Sequence, residues 1–281
     1  MPELPEVEVL VRHLRPLLRG RKISGVTVRR NKVLQPTRPA DFQAALTGTT
    51  IREVRRRGKY LLFDLRRGRG RFTLLGHLGM TGRMFVAPKS APLPKHTAVV
   101  LSLGARLFVY EDTRYFGRLT LDLASADALG PEPWDESLTA ETLAQALKKS
   151  RQPLKVKLLD QSLMAGIGNI YASEILFRTG LSPRRPANRV TVAEAGRLLA
   201  DARAVLTEAI ACGSTIPLNF TGRKSDGLFY FGRAAGTPDY YAERLCVYDR
   251  AGQPCGRCGS AIKRVVQAAR STFYCPRCQK K

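Results

Sequence analysis

The hydrophobic period of this chain changes once, and that change limits the folds open to it. Between residues 23 and 123 the apolar residues fall in short β-branched or alternating runs broken by glycine, proline and charge: KISGVTVRR, TIREVRRRGKYLLFDL, RFTLLGHLG, TAVVLSLG, RLFVYED and GRLTLDL. Such runs predict the strands of a sandwich or barrel, interrupted by a short helix around Asp41 to Leu46. The stretch LGPEPWDES, with two prolines ahead of Trp134, reads as a connection, and beyond it the period is helical. Helices are predicted over about 139–149, 153–162, 169–179 and 191–211. With 281 residues, the chain can bury two cores, so the expected class is α+β and multidomain.

Charge narrows the partner. Lys and Arg number 47 against 23 Asp and Glu, a formal +24. The basic residues are spread along the chain (Arg29, Arg30, Lys32; Arg55, Arg56, Arg57, Lys59; Lys148, Lys149, Arg151; Arg184, Arg185) and not gathered in a tail, so a charged surface on folded domains facing a polyanion is expected. Nucleic acid fits better than an anionic membrane. No run has the apolar length of a spanning helix, and the first residues carry acids where a signal peptide has a basic start, so the expected location is the cytoplasm.

Four of the six cysteines have metal-ligand spacing. Cys255 and Cys258 form C-G-R-C, Cys275 and Cys278 form C-P-R-C, and sixteen residues separate the pairs. Two such turns can place four thiolates around one tetrahedral ion, whereas a thioredoxin-like redox site needs only one pair beside a βαβ unit. One structural Zn2+ is expected, contributing folding energy to a small terminal ribbon. Cys212 and Cys246 lack such partners and read as buried or free thiols.

Two further stretches each support two readings. In MPELPEVEVL, Val7, Leu10, Val11, Leu14 and Leu17 recur at helical spacing, and proline and glutamate suit a helix start, which places a helix from Val7 onward. Alternatively, Met1 is removed, since a small second residue permits it, and Pro2 presents a secondary amine that can attack carbon. In LMAGIGNIYASE, Gly166 and Gly168 let the chain bend and Asn169 is predicted as the N-cap of the next helix. That arrangement is either a capped helical hairpin or a helix start able to bind phosphate oxygens. It is not a dinucleotide fingerprint, for it lacks the preceding strand and the third glycine.

Five pieces occur together and in order: PELPE at the start, RGKYLL at 57–62, HLGM at 77–80, AGIGNIYASE at 165–174 and the four-cysteine ribbon. Together they resemble bacterial formamidopyrimidine-DNA glycosylase, within the family that includes endonuclease VIII, and the resemblance covers essentially the whole chain. PELPE and HLGM look like the oxidised-purine branch. The resemblance implies an N-terminal β-sandwich domain with an N-terminal helix (1–130), a connection (131–138), a helical helix-two-turn-helix domain (139–244) and a four-cysteine zinc finger (245–281). It also implies damaged double-stranded DNA bound between the domains. A monomer is expected.

The resemblance implies chemistry residue by residue. Pro2 matches the nucleophile, Glu3 the carboxylate that handles protons at the sugar, Glu6 a supporting acid, and Lys59 a lysine that contacts a phosphate beside the lesion and aids catalysis. Met80, Arg114 and Phe116 match the wedge that fills the gap left by an everted nucleotide; many family members have a second arginine where this chain has Tyr115. Lys155 and Asn169 match phosphate or lesion contacts, and Arg270 matches an arginine laid on the flanking phosphates. A loop able to cover the everted base is expected within residues 216–241. Excision of oxidised purines followed by β,δ-elimination is the leading expectation. The same chemistry on oxidised pyrimidines and a non-catalytic damage-binding protein are its alternatives.

Overall fold

The computed structural model describes residues 2–212 and 245–280. They fall into two compact units, residues 2–127 in the first and residues 128–212 with 245–280 in the second. The expected base-covering loop at 216–241 lies outside the described residues.

The first unit is α1 (Leu4–Leu18), α2 (Pro39–Leu46), α3 (Ala124–Asp127) and eight strands: β1 (Gly25–Val28), β2 (Thr50–Arg57), β3 (Tyr60–Arg67), β4 (Gly70–His77), β5 (Gly82–Pro88), β6 (Thr97–Leu103), β7 (Arg106–Asp112) and β8 (Arg118–Thr120). They form two antiparallel four-stranded sheets, ordered β1-β6-β7-β5 and β2-β3-β4-β8. Alternation in β3 explains the layering. Leu61, Phe63 and Leu65 enter the main core with residues from both sheets, while Leu62 turns outward to pack with Leu75 and Ala126. Phe63 meets Phe108 of the other sheet edge to face, with ring centroids 5.5 Å apart.

Two sequence expectations change here. Strand β5, GRMFVAP, is absent from the predicted runs; Met84 enters the main core while its neighbour Phe85 packs with Val100, Leu107 and Val109. A strand apolar on both faces shows no alternation to detect. Helix α1 begins at Leu4 and not Val7. Pro5 has no N–H to leave unsatisfied in the first turn, and the Glu3 N–H donates to Glu6 Oε2 at 2.7 Å, so the acids extend the helix backward.

In the second unit are α4 (Ala140–Lys148), α5 (Leu154–Leu158), α6 (Asn169–Thr179), α7 (Val192–Ala211) and the ribbon hairpin β9 (Lys263–Gln267) and β10 (Arg270–Tyr274). The helix predicted over 153–162 ends at Leu158. The Asp160 carboxylate accepts from the Ser162 N–H at 2.9 Å and its hydroxyl at 2.6 Å, a local turn that competes with the helix. The connecting stretch is fastened to this unit: Ala165 N–H donates to Pro131 O at 2.8 Å, and Arg203 Nε to Pro133 O at 2.6 Å.

Helix α6 is the strut of the second unit. Its buried Glu174 accepts from the N–H groups of Cys246, Val247 and Tyr248 at 2.8, 3.0 and 2.8 Å. Burial pushes this carboxyl up and the three amides oppose that. Near its end, Phe177 joins Val247, Ile262 and Phe273 in the ribbon core, and Arg257 lies 4.4 Å from the centroid of the Phe177 ring. Among the described residues, no helix is long and apolar enough to cross a membrane.

Candidate functional site

The start of the chain is anchored by α1 running antiparallel to β2. Arg15 Nε donates to Val54 O at 3.1 Å, and Arg56 Nε pairs with Glu8 Oε2 at 2.8 Å. Moving back along the helix from Arg15 to Glu8 therefore moves forward along the strand from Val54 to Arg56. With about 1.5 Å per helical residue and about 3.3 Å per strand residue, the same course brings Pro2 and Glu3 to the β2–β3 turn. That turn is Gly58–Lys59, and Gly58 at φ 54° supplies the first central position of a tight hairpin. Pro2 is buried, as are Glu3 (2% exposed), Glu6 (0%) and Lys59 (7%). Lysines and glutamates seldom lie so deep.

Beside this turn lies His77, cross-strand from Tyr60, with ring centroids 4.9 Å apart. Burial first, then the positive charges of Lys59 and Arg118, push its pKa down from 6.5 to about 4, outweighing the opposing pull of Asp112. Between those values the unfolded imidazole binds a proton that the folded one does not, so stability rises with pH across the interval. A His77→Gln variant removes that dependence. Relative to it, wild type is expected to lose about 2–3 kcal/mol between about pH 7 and pH 4.5 in urea titrations; a constant difference would contradict the burial of neutral His77.

The three wedge candidates come together on the surface of the same unit. Arg114 Nη1 lies 3.4 Å from Met80 Sδ, and its guanidinium sits 4.8 Å from the centroid of the Phe116 ring. Met80 and Phe116 are 43% and 49% exposed, two large apolar side chains side by side at the surface. Two residues that the sequence does not single out as site residues join them. Arg30 Nε donates to the Tyr115 hydroxyl at 3.1 Å, and Lys32 Nζ lies 5.9 Å from the Phe116 ring. Both are visible in the sequence only as part of a basic run.

In the second unit Lys155 is 1% exposed, and its ammonium donates to Asn169 Oδ1 (2.7 Å), Ser271 O (2.9 Å) and Thr272 Oγ1 (3.0 Å). All three hydrogens are engaged within the protein, so in this arrangement the ammonium offers a phosphate nothing directly. Asn169 is not the N-cap. Gly168 holds that position with φ −125° and ψ −159°, and the Asn169 side chain turns instead to Lys155 and, through Nδ2, to Ser271 O at 3.1 Å. Arg270 opens β10 beside these acceptors and is exposed. The preceding turn has Ala268 and Ala269 at φ 46° and 59°.

The four ribbon cysteines gather as their spacing implied. Their sulfurs lie within 4.8 Å of one another, with Cys258–Cys275 at 3.5 Å and Cys255–Cys278 at 3.9 Å. Four sulfurs each about 2.3 Å from a tetrahedral zinc stand about 3.8 Å apart, so the donor set fits one structural zinc held by Cys255, Cys258, Cys275 and Cys278. Of the other two cysteines, neither of them in a disulfide, Cys246 is exposed and Cys212 half-buried, which leaves the free-thiol reading of the two expected.

Comparison with known proteins gives three matches along the chain. Residues 1–119 match the formamidopyrimidine-DNA glycosylase N-terminal domain, 129–219 the H2TH domain of that glycosylase, and 252–281 a zinc finger found in FPG and IleRS. The chain is 43% identical to a formamidopyrimidine-DNA glycosylase of Alkalilimnicola ehrlichii and 42% identical to one of Laribacter hongkongensis, each alignment covering 100% of both chains. It superposes with a TM-score of 0.87 at 30% identity on an FPG mutant of Lactococcus lactis in complex with Fapy-dG-containing DNA. A structure of MutM with carbocyclic 8-oxo-G-containing DNA gives a TM-score of 0.85 at 31% identity, and both comparisons cover 100% of both chains.

Proposed function

We propose, because this chain belongs to the formamidopyrimidine-DNA glycosylase family, that it is a base-excision-repair DNA glycosylase with lyase activity, excising oxidised purines such as 8-oxoguanine and formamidopyrimidines. The observation that carries the reading is the burial of Pro2, Glu3 and Lys59, with the course of α1 along β2 directed toward the Gly58–Lys59 turn. A base within a duplex hides its glycosidic bond, so the nucleotide must first leave the stack, at a cost of a few kcal/mol. Met80 and Phe116 then fill the gap as apolar wedges, with Arg114 facing the orphaned base.

With Met1 removed, the Pro2 amine attacks C1′ of the everted nucleotide, the base departs and the sugar ring opens to an iminium. A secondary amine suits this step because its iminium carries a fixed positive charge. That charge acidifies the C2′ proton, β-elimination breaks the 3′ C–O bond, and δ-elimination releases the sugar remnant. An α-amine has a pKa of about 7.7–8.0, so a neutral fraction exists near pH 7. Glu3 transfers protons at the sugar; Glu6, bonded to the Glu3 N–H, fixes the position of that carboxylate's backbone. The zinc is structural and supplies the ribbon's fold, not a reacting atom.

The relatives bound to Fapy-dG-containing and 8-oxo-G-containing DNA support the purine branch. Side-by-side single-turnover excision from duplexes containing 8-oxoguanine opposite cytosine or thymine glycol tests it: the purine lesion is expected to be excised faster, and the reverse order would move the substrate to oxidised pyrimidines. Arg270 is expected to hold a phosphate. Arg270→Ala should weaken DNA binding and lower the slope of log affinity against log salt by about one counterion's worth; an unchanged slope removes Arg270 from the phosphate contacts.

A further inference from the structure

We infer that Asp112 and Thr81 are positioning residues that hold Met80, Arg114 and Phe116 as one wedge, assembled before any nucleotide is everted. The inference rests on the glycosylase reading above and deepens it. Asp112 ends β7 with its side chain fully buried, and its carboxylate is bonded to the two loops that carry the wedge. Oδ1 accepts from the Thr81 hydroxyl at 2.6 Å and from the Arg114 N–H at 3.1 Å; Oδ2 accepts from the Gly117 N–H at 2.8 Å. Thr81 Oγ1 in turn accepts from the same Arg114 N–H at 3.2 Å. One buried carboxylate and one hydroxyl thereby join the residue after Met80 to the residues on either side of Tyr115 and Phe116.

The backbones of these loops are packed to contact. A Cβ added to Gly79 would stand 2.5 Å from Gly117 N, and one added to Gly117 would collide with His77 O and the Tyr110 hydroxyl. Gly79 lies at φ 60°, a conformation glycine adopts freely, and Tyr115 at φ 54°, a left-handed conformation that the surrounding bonds must maintain. At the surface this framework brings Arg114 against both Met80 Sδ and the Phe116 ring. A wedge assembled in advance has less conformational freedom to lose when it enters the stack, and this favours eversion. The carboxylate itself is buried and serves geometry: it fixes the loops rather than meeting the DNA.

Eversion and bond chemistry can be measured separately. Thr81→Val keeps the side-chain shape and removes the hydroxyl. It is expected to slow single-turnover excision from a lesion-bearing duplex by about tenfold, the scale of one lost hydrogen bond to a charged group. Borohydride trapping on an abasic site in single-stranded DNA, which needs no eversion, should proceed at the wild-type rate. Thr81→Ser should restore excision. Asp112→Asn should reproduce the split, and 2-aminopurine placed beside the lesion should report slower unstacking in both impaired variants. Wild-type excision by Thr81→Val, or a fall in single-strand trapping that matches the fall in excision, would overturn the inference. Failure of the underlying glycosylase reading looks different, since the wild-type protein would then form no adduct with any abasic DNA.

Discussion

A chain that retains Met1, or carries any residue ahead of Pro2, is expected to lose borohydride trapping on abasic DNA by at least about 1,000-fold while binding that DNA within a few-fold of wild type. An amide nitrogen has no lone pair available for attack on C1′, so the effect falls on the chemical step and not on affinity. The geometry sharpens the expectation. The course of α1 along β2, fixed by Arg15 on Val54 O and Glu8 on Arg56, directs the chain start to the Gly58–Lys59 turn, so an extension cannot be accommodated by sliding the helix. Glu3→Gln should separate the steps differently, leaving the amine intact and slowing the proton transfers. Gel-resolved adduct yield and equilibrium binding on the same oligonucleotide check both parts; full trapping by an extended chain would remove Pro2 from the mechanism.

Loss of zinc is the second large effect. Residues 245–280 have a small apolar core, and a segment of this size rarely holds its fold without a metal or cross-link. Cys275→Ser removes a ligand with 0% exposure, and the β9–β10 hairpin is expected to unfold with it. The consequences reach α5 and α6. Ser271 O and Thr272 Oγ1 are lost as acceptors for Lys155, and the side chains of Lys155 and Asn169 are uncovered together. With Arg270 and the Asn169 helix start both displaced, DNA affinity should fall by roughly 100-fold, the equivalent of about two phosphate contacts. Metal content and DNA titration of the variant, with chelated wild-type protein alongside, provide the measurement. A zinc-free protein with unchanged affinity would contradict this coupling.

Features encoded over short spans are legible without the structure. The cysteine spacing specifies a four-sulfur site, and the β-branched and alternating runs before residue 123 mark most of the strands. Features that depend on distant partners are not. Asp112 reads as the end of a strand until its oxygens are seen to join residues 81, 114 and 117, and Glu174 as one more helix acid until it receives three amides more than 70 residues away. Asn169 shows the same limit: local sequence favours an N-cap, but Lys155 and Ser271 capture its side chain and leave the cap to Gly168. Pro2, Glu3 and Lys59 are individually ordinary residues whose resemblance to a family gave them roles; their shared burial supplies a physical reason to propose them together.

The most direct measurement is the location of the trapped adduct. Wild-type protein incubated with abasic DNA and borohydride, then digested and analysed by mass spectrometry, is expected to carry the reduced sugar on the N-terminal peptide, attached at Pro2 with Met1 absent. An adduct on Lys59 or another lysine, or none from a protein shown to begin at Pro2, would contradict catalysis by the chain terminus.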